Sequence, residues 1–159
     1  MSWRIVETEA YVVGNASKGR QSAMPYCLEL GHAYVYFIYG CWFSLNVSAG
    51  GSGIGSGVLL RGLEPLEGVD LMARHRSAAR VQEMARGPGR LATALDITRE
   101  LNGHDLCTGH GALWLGDAVR SRGRMGTSTR IGISRETDWL LRFFEKGNSY
   151  VSGPRHQRC

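Results

Sequence analysis

The sequence predicts a mixed α/β domain of the α+β kind, in which strands dominate, and three features carry that prediction. Arg4–Tyr11 (RIVETEAY) alternates like a strand, Ala33–Ser48 reads as an aromatic hairpin, and prolines at Pro65 and Pro88 open two helical patterns. At 159 residues, with no break in composition, the chain has the length of one domain spanning 1–159.

In Arg4–Tyr11 the side chains alternate, so Glu7, Glu9 and Tyr11 share one face while Val6, Thr8 and Ala10 share the other. Two carboxylates on a β-branched strand suit either a solvated edge strand or a chemical site. From Asn15 to Gly31 a polar loop with the basic cluster Lys18-Gly19-Arg20 is expected. Ala33–Gly40 (AYVYFIYG) and Cys41–Ser48 (CWFSLNVS) then form two strands about a Tyr39-Gly40 turn. Tyr34, Tyr36 and Ile38 share one face of the first strand, and Trp42, Ser44 and Asn46 share one face of the second. A tyrosine at a turn tip is hard to bury, which makes Tyr39 a candidate wedge.

Gly50–Gly57 holds neither a dinucleotide-binding glycine pattern nor a P-loop lysine and reads as a connection. Val58–Leu63 is an apolar strand broken by Arg61, an arginine either snorkelling at an edge or placed to meet an anion. A helix is expected over Leu66–Arg80 after Pro65, and a second after Arg86-Gly87-Pro88-Gly89-Arg90, with Leu91, Leu95 and Ile97 as its buried stripe. Amides at that helix start, beside Arg86 and Arg90, suit a DNA phosphate as well as they suit a plain loop. Strand-like runs follow at Leu113–Leu115, Arg130–Ser134 and Trp139–Phe144.

The net charge of +5 comes almost wholly from arginine, since lysine occurs only at Lys18 and Lys146. Such basicity suits phosphate contact without proving it. The four cysteines (Cys27, Cys41, Cys107 and Cys159) form no close pair, which disfavours a disulfide scaffold or zinc ribbon, and Cys107 with His110 is too small a set for a metal site. No apolar run approaches a membrane span and the first residues are not a signal peptide, so a soluble intracellular protein is expected.

Five motifs in order (RIVETEAY, YVYFIYGCWFSLNVS at Tyr34–Ser48, VLLRGLEPLEG at Val58–Gly68, ARGPGRLATALDI at Ala85–Ile97 and RIGIS at Arg130–Ser134) resemble the 3-methyladenine or alkyladenine DNA glycosylases. The resemblance implies a curved antiparallel sheet with flanking helices and a hairpin that enters the DNA minor groove. It implies that Glu9 deprotonates the attacking water, that Arg61 helps hold that water, and that the Ile131 carbonyl is a third contact. Tyr11 and Tyr36 would pack on a flipped base, Asn46 would discriminate against the guanine amino group, and Tyr39 would fill the gap in the stack. Two departures stand out: the family carries a segment ahead of this first strand, and Lys18 stands where the family has a pocket histidine.

These residue types suit the chemistry independently of the likeness. A base must leave the duplex to be reached, stacking on tyrosine returns about 1–3 kcal/mol, and a positioned general base contributes about 10²–10⁴-fold. A monomer acting on double-stranded DNA with damaged purines, using neither metal nor cofactor, is expected. The alternatives are a catalytically impaired DNA-binding relative and an RNA-binding module of similar fold.

Overall fold

Alternating β-branched and aromatic residues set the strands, and in the computed structural model these join into one curved, open, antiparallel sheet. The structure describes residues 1–12, 28–50, 55–77, 80–117, 123–134 and 137–154. Strands β1 (Ser2–Val12), β2 (Ala33–Ile38), β3 (Trp42–Ser48), β4 (Ser56–Glu67), β5 (Met125–Ser128) and β6 (Arg142–Glu145) lie in the order β2-β3-β4-β1-β6-β5. Helices α1 (Val69–His75) and α2 (Pro88–Ala94) accompany them. The main core lies between the sheet and these helices, where Val35, Leu45, Leu60 and Leu63 meet Met72, Leu91 and Ala92.

The hairpin forms as its residues suggest, with β2 and β3 paired from Ala33↔Val47 to Ile38↔Trp42. At its tip the Cys41 amide donates to the Ile38 carbonyl at 3.3 Å, and Tyr39 and Gly40 both take positive φ, 55° and 70°. That pattern is the signature of the turn whose twist matches a right-handed ribbon. Tyr39 is 82% exposed.

The first strand is not an edge. β1 is flanked by β4 and β6, so a solvated row of carboxylates is ruled out; Glu7 is 1% exposed and Glu9 0%. The ladder between β1 and β4 is irregular, for Ile5 opposes Leu63, Glu7 opposes Gly62 and Thr8 opposes Leu60. Val6 on one strand and Arg61 on the other are left over. Such bulges re-aim side chains, and this one turns Arg61 towards the carboxylates of β1. Val6 packs instead with Phe144 and Val151 in a second apolar cluster.

Pro65 does not open a helix. It lies within β4, opposite Trp3 at another register irregularity, where its missing N–H disturbs least. The expected Leu66–Arg80 helix therefore shortens to Val69–His75, behind Gly68 in the left-handed conformation. The stripe Leu91, Leu95 and Ile97 is buried as expected. Leu113–Leu115 and Arg130–Ser134 are not strands; β5 begins earlier, at Met125, and β6 takes only the end of the Trp139–Phe144 run. The outer half of β4 beyond β3 is covered by the loop before α2, with Leu63 N donating to Ala85 O at 3.2 Å and Gly87 N to Arg61 O at 2.7 Å.

Gly62 is packed too tightly for any side chain. A Cβ there would sit 2.8 Å from the Tyr150 carbonyl and 3.1 Å from Glu7 Cβ, neither of them a flexible chain end. Gly62→Ala is expected to destabilise the fold by about 1–3 kcal/mol, read as a lower midpoint in urea denaturation.

Candidate functional site

The irregular ladder places four buried charges side by side. Glu9 on β1 receives the Arg61 Nη1 at 3.2 Å and the Tyr11 hydroxyl at 3.0 Å on Oε2, and the Ile131 amide at 2.7 Å on Oε1. Glu7 meets Arg61 Nε at 3.3 Å and Arg142 Nε at 2.7 Å. Two carboxylates and two guanidinium groups balance, which is the condition for holding them out of water. Tyr11 is bound in turn by Arg130, whose guanidinium carbon lies 4.8 Å from the ring centre. Burial, then the charge of Glu9 and the hydrogen bond given to it, push the Tyr11 hydroxyl well above the ordinary tyrosine range. Tyr11 is thus held as a neutral donor.

Three of the groups that enclose Glu9 also line a cavity of about 380 Å³, namely Tyr11, Arg61 and Ile131. Tyr36, Ile38 and Tyr39 from the β2 side, Trp42 and Ser44 from β3, and Arg86, Gly87, Pro88, Gly89 and Arg90 from the start of α2 complete much of its wall. Its size falls within the range of about 300–1,000 Å³ usual for small-molecule pockets, and its aromatic walls suit a planar ring.

Most of the residues singled out in the sequence therefore meet at one place. Asn46 stands apart from the lining, buried behind Ser44, with its Nδ2 donating to the Tyr34 carbonyl at 3.2 Å. Its Oδ1 has no hydrogen-bond partner among the described residues. Ile131 reaches Glu9 through its N–H. Lys18 lies outside the described residues. Arg86 and Arg90 are not bare cations, because Glu83 binds both, Arg86 Nη1 at 2.7 Å and Arg90 Nη1 in a shorter contact. Partial burial opposes ionisation of Glu83, but the bond from Arg90 and the charge of Arg86 prevail and hold its carboxyl below the usual carboxylate range.

The five motifs thus fold into one pocket over a buried carboxylate, and the model of the methylpurine-DNA glycosylase (MPG) family matches residues 1–149 of this chain. The chain belongs to the methylpurine-DNA glycosylase family. A protein of Mesorhizobium japonicum, provisionally named 3-methyladenine DNA glycosylase, is 52% identical over 98% of this chain and 76% of its own. Relatives of the same provisional name from Paraburkholderia phytofirmans and Chlorobaculum parvum are 46% and 39% identical, over 98% and 96% of this chain and 75% of each of theirs.

Two further buried residues of this glycosylase fold, Arg142 and Ser152, are not among the candidates the sequence offers. Arg142 interrupts the apolar run Trp139–Phe144 as Arg61 interrupts Val58–Leu63, so the same signal was present. Ser152 had no such mark.

Proposed function

We propose that the protein is a monofunctional, monomeric glycosylase of double-stranded DNA that swings damaged purines, alkylated bases, hypoxanthine and ethenoadenine among them, into the cavity and hydrolyses their bond to the sugar. Family membership makes the chain a DNA glycosylase, and it is the glycosylase reading that the Glu9 cavity supports. The observation that carries the finer reading is the fully buried carboxylate of Glu9 behind Tyr11, Arg61 and Ile131, three residues that face the cavity.

In this reading Tyr11 and Tyr36 stack on the flipped base. Arg61 and the Ile131 carbonyl hold a water near Glu9, which takes its proton as the oxygen bonds to the sugar carbon. The carbon–nitrogen bond breaks with its electron pair leaving on the purine, and the carboxylate steadies the positive charge that builds on the sugar. Single-turnover incubation of the wild type with duplexes bearing hypoxanthine, ethenoadenine or 3-methyladenine tests this: release of free base, leaving an abasic site, is expected. Folded protein that binds these duplexes and frees no base would sink the reading.

Tyr39 fills the gap left in the stack, and its exposed position at the hairpin tip supports that role. Tyr39→Ser is expected to weaken binding of lesion-bearing duplex by about 1–3 kcal/mol, measured by fluorescence anisotropy, with the melting temperature kept. Arg86, Gly87, Gly89 and Arg90 face the DNA backbone, where phosphates compete with Glu83 for the two guanidinium groups. Glu83→Gln is expected to tighten duplex binding and to steepen its salt dependence, each phosphate neutralised adding about 0.9 to the slope.

A further inference from the structure

Glu7 has no part in the reaction as described, yet its carboxylate is saturated. It accepts from Arg61 Nε at 3.3 Å, Arg142 Nε at 2.7 Å, the Ser152 hydroxyl at 2.9 Å and the Ser152 amide at 2.5 Å. About four such bonds are all that a carboxylate can take. Arg61 is the link to the reacting side. Its Nε lies on Glu7 and its Nη2 on the Ser152 hydroxyl at 3.3 Å, which leaves Nη1 directed at Glu9 Oε2.

Arg142 stands opposite Glu9 on the ladder, while Glu7 stands opposite Phe144. The Arg142 Nε nevertheless binds Glu7, and its other nitrogens go to the Ser128 hydroxyl at 2.9 Å and the Ser152 carbonyl at 3.0 Å. A buried guanidinium must find a countercharge. Glu7 supplies it, and Glu9 is spared a second arginine.

We propose that Glu7, together with Ser152, is a positioning residue that fixes the Arg61 guanidinium against Glu9. The inference rests on the reading of Glu9 as the base that activates water. With Glu7 neutral, Arg61 keeps its contacts to Glu9 and Ser152 but loses the charge that anchors its Nε, and the water site loses its geometry.

The test is a double-mutant cycle of Glu7→Gln and Arg61→Gln in the full chain, on duplex carrying hypoxanthine or ethenoadenine. Single-turnover rate, duplex Kd and melting temperature are read for each protein, with Glu9→Gln alongside. Glu7→Gln is expected to slow base release on the order of 10- to 100-fold with Kd unchanged. In the Arg61→Gln background it is expected to add almost nothing, because its effect runs through Arg61. A merely structural Glu7 gives losses that multiply, and that result, like a wild-type rate in Glu7→Gln, overturns the proposal. Should Glu7→Gln not fold, Ser152→Ala takes its place in the cycle, since it removes only the hydroxyl between Glu7 and Arg61. A loss of about 10-fold, absent in the Arg61→Gln background, is then expected, and a wild-type rate overturns the proposal. Base release that needs Glu9 but ignores Glu7 defeats this inference alone, whereas release that persists in Glu9→Gln defeats the reading beneath it.

Discussion

Glu9→Gln is expected to slow single-turnover base release by about 10²–10⁴-fold, the usual contribution of a positioned general base, while binding of lesion-bearing duplex persists. The substitution keeps the shape of the side chain and removes its capacity to take a proton. It does disturb the donors around it: Tyr11, Arg61 and Ile131 all give hydrogen bonds to Glu9, and an amide offers only one oxygen where the carboxylate offers two. One donor is left without a partner at a cost of about 1–3 kcal/mol, so the melting temperature falls somewhat and must be recorded beside the rate. A folded Glu9→Gln protein that releases base at the wild-type rate would remove Glu9 from the chemistry.

The largest loss of stability is expected at Arg142. Its side chain is 0% exposed, bonded to Glu7, Ser128 and Ser152, and its guanidinium carbon lies 4.5 Å from the centre of the Phe144 ring. Arg142→Met leaves Glu7 with less compensation in a dry interior, a change that typically costs 3–5 kcal/mol. For a chain of this length that is roughly 10 °C in melting temperature. Replacing both partners, Glu7→Leu with Arg142→Met, leaves Arg61 and Glu9 as a balanced pair and is expected to recover much of the loss. Calorimetry decides: a double variant no more stable than Arg142→Met alone would show that charge balance is not what Arg142 provides.

Local pattern made the sheet legible. β1 and the hairpin are written in alternating β-branched and aromatic residues, and α2 in its proline start and the spacing of Leu91 and Leu95. Pro65 points to a helix because proline is over-represented at the first helical position, and only the pairing of Trp3 with Pro65, set by distant chain, shows that β4 runs on through it. The site was half legible for a similar reason. Tyr11, Tyr36, Arg61 and the Arg86–Arg90 stretch stand out singly, as charges or aromatics at odd places in apolar or glycine-rich sequence. The burial of Glu7 and Glu9 depends on β6 joining β1, and the bond from Ser152 to Glu7 spans 145 positions. No local periodicity encodes a contact of that reach.

The hairpin tip sets two preferences against each other. A left-handed backbone angle is easy for glycine and tolerable for asparagine, but for a bulky L-residue it costs about 1–2 kcal/mol. Water, for its part, favours a polar residue at so exposed a point. Tyr39, at φ 55°, goes against both preferences. A hairpin shaped by stability alone would carry asparagine and glycine here, and Tyr39→Asn should accordingly make the free protein more stable as it blunts the tip. The turn holds its ring in the open at a standing cost in stability, a cost that the role proposed for Tyr39 between stacked bases explains.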